Sequence, residues 1–159
     1  MFFLIALVAA VSTTDISAAE KREFEKVANL PGVEFVYVGS AAFRMMGSSN
    51  ILKGMSGVPS GITGSLQSIK SMEVLECDNA ASKEYIKAAI EKIVRENSLE
   101  MILETNEDGD TTRIYAHVPE EDAPLKDLLI ENSEKDEYNV VYIKGTIDVA
   151  ALQQLNVGD

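Results

Sequence analysis

The sequence predicts an α+β fold in which a single, largely antiparallel sheet carries helices packed on one face, as in a two-layer sandwich. An Asp-Gly pair at residues 108–109 separates two strand-like segments, and residues 85–94 repeat apolar side chains at helical spacing. Other short segments are rich in β-branched and aromatic residues. With 159 residues, of which 46% are hydrophobic, the chain has the size and apolar content of one domain.

The first 19 residues have the order of regions found in a secretory signal. Residues 1–11 are all apolar, and the small residues Ser17, Ala18 and Ala19 follow. The apolar run is too short to span a membrane. We expect cleavage after Ala19, a mature domain of residues 20–159 without a membrane span, and a periplasmic or secreted location. The segment lacks the usual initial Lys or Arg, which leaves open a start codon upstream of Met1. The alternative is a buried N-terminal helix or strand.

Three elements are predicted in the first part of the mature chain. Residues 20–30 place Phe24, Val27 and Leu30 at roughly helical spacing, and Pro31 ends this helix. Residues 33–38 predict a mostly buried strand. A short helix capped by Ser40 should follow, reaching residue 46.

Residues 47–64 form a Gly- and Ser-rich segment, which predicts a long surface loop. Its apolar side chains are separated by glycines, so they either pack on the domain's own sheet or remain available to a partner. The sequence thus predicts a possible interaction surface, consisting of Leu52, Met55, Val58 and Ile62.

Residues 72–77 predict a strand, and Asp78 or Asn79 can cap the helix that follows it. The apolar face of this helix consists of Tyr85, Ile86, Ala89, Ile90, Ile93 and Val94. On the polar face, Lys87 and Arg95 can each pair with Glu91.

Residues 99–106 and 110–118 predict a hairpin around the Asp-Gly turn. Counting outward from the turn pairs Glu104 with Arg113 and Leu103 with Ile114 on opposite faces. The same count also predicts the pairs Ile102–Tyr115, Glu100–His117, Met101–Ala116 and Leu99–Val118.

The remaining chain predicts a loop at residues 119–124 and a short helix at residues 125–131. Residues 138–144 then predict a strand, and Asp148 caps a closing helix that includes Leu152 and Leu155.

Charge and cysteine content exclude several classes of function. A net charge of −12 disfavours binding to nucleic acid and to anionic membranes, since both need Lys and Arg. Cys77 is the only cysteine, so an internal disulfide, a CxxC pair and a thiolate zinc site cannot form. Cys77 also lies too far along the chain to anchor a lipoprotein. We expect Cys77 to be a small buried side chain in a strand.

No catalytic, cofactor-binding or metal-binding motif is recognisable. His117 is the only histidine, and a surface ion pair with Glu100 would give it a structural role in place of a catalytic one. The acidic groups at residues 107–110, 120–122 and 131–137 lack the spacing of a calcium loop, so we interpret them as solvated. The sequence therefore predicts no cofactor.

Three stretches look familiar together: residues 36–38 running into 43–46, residues 69–75, and residues 140–148 with Leu152 and Leu155. With the signal segment and the size, they resemble the domain-of-unknown-function family 4252, small exported proteins of Gram-negative bacteria that are often described as lipoproteins. The chain departs from that description because it lacks an anchoring cysteine, which implies a soluble periplasmic or secreted form. The resemblance carries no activity and no site residues.

We expect a non-enzymatic module of the cell envelope that binds another protein or a surface component. The alternative is a small periplasmic hydrolase that uses carboxylates. A deep pocket with two carboxyl groups would favour the hydrolase, whereas a flat apolar patch would favour binding. The oligomeric state stays open.

Overall fold

A computed structural model describes residues 21–46, 68–120 and 123–147. Its helices and strands are, in chain order, β1 (Val33–Gly39), α1 (Ser40–Met46), β2 (Ile69–Cys77), α2 (Ala80–Glu96), β3 (Glu100–Glu107), β4 (Asp110–His117), β5 (Leu125–Ser133) and β6 (Tyr138–Ile147). The strands form one six-stranded sheet in the order β1-β2-β6-β5-β4-β3, and all neighbours are antiparallel. The predicted α+β class with one antiparallel sheet is confirmed.

Both faces of the sheet are buried. Successive side chains of a strand point to opposite faces, and in β2 Val74 and Leu75 belong to two different apolar clusters. Ile86, Ile90 and Ile93 of α2 pack in the cluster of Leu75, so we call that side the α2 face. The expectation that the helices pack on one face is not confirmed, because Phe43 of α1 belongs to the cluster on the opposite face.

Helix α2 begins where the sequence predicts. Asn79 is its N-cap, and its side chain accepts a 3.0 Å hydrogen bond from the backbone N–H of Ser82. Tyr85 is 66% exposed, so it lies outside the buried stripe in which we placed it. Lys87 pairs with Glu84 at 3.4 Å, where we predicted Glu91.

The predicted N-terminal helix is wrong for the described residues, since residues 23–29 form a series of turns. Phe24 and Val27 are nevertheless buried against the sheet. The backbone N–H groups of Glu23 and Phe24 donate to the carboxylate of Glu73 at 3.0 and 3.1 Å. This carboxylate fixes the path of the turns from outside the segment.

The predicted helix at residues 125–131 is also wrong, because this segment is part of strand β5. Leu125, Leu128 and Leu129 have helical spacing, yet Leu128 and Leu129 are buried on opposite faces of the sheet. A strand covered on both faces carries consecutive apolar residues, so its pattern resembles that of a buried helix.

The Asp-Gly hairpin forms as predicted next to its turn. Asp108 has φ of 52° and Gly109 has φ of 94°, and the predicted pairs Glu104–Arg113 and Leu103–Ile114 are present. A β-bulge between Met101 and Leu103 then shifts the register by one residue. Met101 therefore lies opposite Tyr115 and Glu100 opposite Ala116, so the predicted pairs beyond the bulge are wrong.

Candidate functional site

Strand β3 forms one edge of the sheet. In the part of the chain that the structure describes, β3 pairs with a strand on one side only, namely β4. A strand at a sheet edge has an outer row of backbone N–H and C=O groups available to an added strand. Residues 100–104 and 106–107 are all exposed, and Thr105 is half-buried, so this edge is open to solvent.

Three consecutive large apolar side chains lie on this edge. Met101, Ile102 and Leu103 are exposed by 49%, 40% and 39%, and Val118 just beyond β4 by 42%. Met101 and Leu103 pair with Tyr115 and Ile114, which lie on opposite faces of the sheet, so the exposed apolar side chains border the edge on both faces. A strand added to this edge would cover apolar side chains on both faces. The bulge makes the group possible, because it places an extra residue between Met101 and Leu103.

A row of alternating charges crosses the sheet to the same edge. Glu131 of β5 lies opposite Arg113 of β4, and Arg113 lies opposite Glu104 of β3. The Nε atom of Arg113 donates to Glu104 Oε2 at 2.6 Å, and its Nη1 lies 3.7 Å from Glu131 Oε1. We call these three residues the charge row. Its outermost member, Glu104, is on the open edge.

The inner end of the charge row is buried. Glu131 is 5% exposed, and its Oε1 accepts a 2.6 Å hydrogen bond from the hydroxyl of Tyr138. Burial, followed by this hydrogen bond, raises the pKa of Tyr138, and burial also raises the pKa of Tyr115. Both phenols therefore stay protonated around the carboxylate. The sequence-based interpretation of Glu131 as part of a solvated acidic group is wrong, because this carboxylate is buried.

A cleft of about 190 Å³ lies beside the charge row, between α2 and the sheet. Its lining residues are Lys87, Ile90, Glu91, Val94, Arg113, Tyr115 and Glu131. It contains two carboxylates, as a hydrolase would require. However, Glu131 is already engaged by Tyr138, and Arg113 lies in front of it.

Comparison with known proteins places the chain in a family. The sequence profile described as a domain of unknown function, DUF4252, matches residues 20–155. This chain belongs to the DUF4252 family. No curated protein and no solved structure matches it. The predicted resemblance to this family is confirmed, and the family description assigns no functional residues to this DUF4252 domain.

The sequence-predicted interaction surface of the DUF4252 domain lies outside the described residues. This applies to all four of its members, Leu52, Met55, Val58 and Ile62. The predicted closing helix after Asp148 lies outside them too. These predictions therefore stay predictions.

His117 and Cys77 have structural surroundings in this DUF4252 domain. His117 lies opposite Lys126 and not opposite Glu100, and its Nδ1 is 3.3 Å from the backbone oxygen of Ser98.

Cys77 is buried in β2 and donates to the backbone oxygen of Asn79 at 3.3 Å, as expected for a small core side chain. A cleft of about 150 Å³ beside Cys77 is lined by Glu34, Glu76, Asp78 and Glu137. Among the described residues, no group of three or more His, Cys, Asp or Glu side chains could hold a metal ion.

A second buried polar cluster lies under the N-terminal turns. Glu73 is 1% exposed, and burial raises the pKa of its carboxyl although two backbone N–H groups and Lys144 act in the opposite direction. Lys144 pairs with Glu23 at 2.9 Å. The neighbouring hydroxyl of Tyr142 is buried, and the described residues provide no hydrogen-bond partner for it. The contacts of Glu73 tie the turns to the sheet, so this cluster has a structural role.

Sequence reasoning missed the β3 edge as a site. One signal was available, since Met101, Ile102 and Leu103 interrupt the alternation expected of a hairpin strand with one solvated face. The sequence predicts only part of the charge row. The pair Glu104–Arg113 follows from the turn, whereas Glu131 was assigned to a helix.

Proposed function

We propose that this DUF4252 member is an exported, non-enzymatic module of the cell envelope that binds another protein by adding a strand of that protein to β3. One observation carries the proposal. Met101, Ile102 and Leu103 expose apolar side chains together, on an edge strand whose outer backbone groups lack a strand partner in the described sheet.

Strand addition uses both features of the edge at once. Backbone hydrogen bonds to the outer row supply affinity, and the apolar side chains supply area and register. The partner strand would cover Met101 on the α2 face and Leu103 on the opposite face, because their pairing partners Tyr115 and Ile114 lie on those faces.

Export is supported by the signal-like residues 1–19 and by the start of the family match at residue 20, directly after the expected cleavage site. Within the described segments, no helix is long and apolar enough to cross a membrane. Mass analysis of the protein recovered from cells should find Glu20 at its N-terminus. An intact Met1 in a cytoplasmic fraction would contradict export.

The hydrolase alternative has weaker support. Of the two carboxylates in the α2 cleft, Glu131 accepts a hydrogen bond from Tyr138 and faces Arg113, and Glu91 lies on the exposed side of α2. A carboxylate already held in this way is poorly placed to exchange protons with a substrate.

The test measures how much partner protein is recovered from envelope extract by the wild-type protein and by variants of the two sheet edges. The double variant Met101→Thr, Ile102→Thr removes apolar area from β3 and keeps side chains that favour strands. The matched control is Val36→Thr, because Val36 is 46% exposed and lies in β1 at the opposite edge of the sheet. We expect the double variant to lose the partner and the control to retain it, with similar melting temperatures.

A third variant addresses the other predicted surface. Met55→Ser combined with Ile62→Ser should leave recovery unchanged if β3 is the binding site. Loss of the partner in this variant alone would instead assign binding to residues 47–64. Unchanged recovery with the β3 double variant would contradict the proposal.

A further inference from the structure

The charge row points to the chemistry of the partner strand. We propose that the strand added to β3 is an extended segment of a different protein with a Lys or Arg directly opposite Glu104. This inference rests on the proposed function, since it concerns the occupant of the same edge. It specifies a charge at one position, which strand addition alone does not.

The first step is the alternation of charge across neighbouring strands. Moving outward from β5 to β3, the row is negative at Glu131, positive at Arg113 and negative at Glu104. Side chains directly opposite each other on antiparallel strands lie about 5 Å apart, where opposite charges stabilise pairing and like charges destabilise it. The next strand outward therefore continues the row best with a positive charge.

Glu104 is available for this contact. Its side chain is 48% exposed even though it accepts the 2.6 Å bond from Arg113 Nε. A carboxylate has two oxygens and about four lone-pair sites, so it can accept from Arg113 and from an incoming ammonium or guanidinium group together.

A second copy of the chain does not meet the requirement. The edge strands β1 (VEFVYVG) and β3 (EMILETNE) contain Glu but neither Lys nor Arg. Pairing either edge of another copy with β3 therefore cannot place a base opposite Glu104. The net charge of −12 opposes self-association as well. Of the described strands, neither sheet edge of a second copy can therefore continue the charge row, whereas a basic segment of another protein can.

The experiment measures binding of three labelled eight-residue peptides to the mature protein at low salt. The peptides alternate valine and threonine and differ at one central position, which is lysine, glutamine or glutamate. We expect the lysine peptide to bind about three- to tenfold more tightly than the glutamate peptide, with glutamine between them. High salt should reduce the difference. Hydrogen exchange should slow at the amides of β3 and not at those of β1.

Two variants of equal net charge separate the charge row from general acidity. Glu104→Gln removes the outer end of the row, whereas Glu100→Gln removes an acid of the same strand that lies opposite Ala116. Glu104→Gln should abolish or reverse the order of the peptides, and Glu100→Gln should preserve it.

The inference would be overturned if the three peptides bound with equal affinity or if none of them bound. It would also be overturned if Glu104→Gln and Glu100→Gln had the same effect on the order of the peptides. Equal binding with slowed exchange in β3 would leave strand addition intact. The proposed function itself is decided separately, by partner recovery with the Met101→Thr, Ile102→Thr protein.

Discussion

The hydroxyl of Tyr138 donates a 2.6 Å hydrogen bond to Oε1 of Glu131, across the end of the β5–β6 hairpin and inside the α2 face. The two residues lie on adjacent strands, near the hairpin connection, where Ser133 is opposite Tyr138. The bond satisfies the carboxylate at the inner end of the charge row. Without this hydrogen bond, that oxygen would retain the contact with Arg113, whose Nη1 lies 3.7 Å away.

Tyr138→Phe should therefore destabilise the protein by about 1–3 kcal/mol, since a buried carboxylate loses a donor while the ring is kept. Denaturant unfolding measures the change. Tyr85→Phe removes a hydroxyl from a tyrosine that is 66% exposed, and it should have almost no effect. Equal effects of the two variants would show that the Tyr138 bond contributes nothing.

Glu73 should make stability depend on pH in an unusual direction for a carboxyl group. Burial raises the pKa of its carboxyl in the folded state above the ordinary value for glutamate. Its contribution to stability is then fully present below the unfolded pKa and is lost as pH rises through the folded pKa. The charged and titratable groups around it, Glu23, Lys144 and Tyr142, are retained in a Glu73→Gln variant.

The measurement is the difference in unfolding free energy between wild type and Glu73→Gln as pH is lowered from neutral to about 4.5. Wild type should gain stability relative to the variant over this range. Glu76→Gln, which changes an exposed carboxyl on the same strand, is the control. A relative gain toward neutral pH would reverse the assigned direction of the shift.

Gly109→Val should cost about 1–2 kcal/mol, because a β-branched residue is strained at positive φ. A Cβ atom at Gly109 would meet nothing within 4 Å, so the backbone conformation alone accounts for the cost. Thermal unfolding tests this, with Asp108→Gly as a control that keeps the turn conformation accessible. An unchanged midpoint for Gly109→Val would contradict the turn.

Gly145→Ala should cost more, about 3 kcal/mol, since steric overlap adds to the strain. The φ of Gly145 is 134°, and a Cβ atom there would overlap the backbone oxygen of Ser68 and lie 2.9 Å from Cα of Ile69. The comparison is with Gly39→Ala, whose Cβ would make an ordinary 3.4 Å contact with the Tyr37 ring. Unfolding free energies that do not differ between the two variants would contradict this packing.

Local chemistry explains which parts of the fold could be predicted. Asp108 and Gly109 define the hairpin because few dipeptides adopt positive φ at both positions. Asn79 caps α2 because its side chain is short enough to reach the backbone N–H of Ser82. Both features depend on residues close together in the sequence.

Contacts between distant residues explain the failures. The turns at residues 23–29 are held by Glu73, which lies 50 residues from Glu23 and 49 from Phe24. Strand β5 looks helical because Leu128 and Leu129 are buried on two faces, which the sequence cannot reveal until both layers are known. The bulge at Met101–Leu103 changed the register that turn geometry alone predicts. Because of the same bulge, the exposed apolar residues of the β3 edge could not be predicted from the register.

The order of the strands in the sheet determines when the sheet can close during synthesis. The last described strand, β6, lies between β2 and β5, so it is the described strand whose hydrogen bonds join β1–β2 to the β3–β4–β5 meander. A chain that leaves the ribosome N-terminus first can form these two fragments early, but it cannot unite them before β6 emerges. Closure of the sheet thus awaits synthesis of β6, although more than a hundred residues of the domain precede that strand.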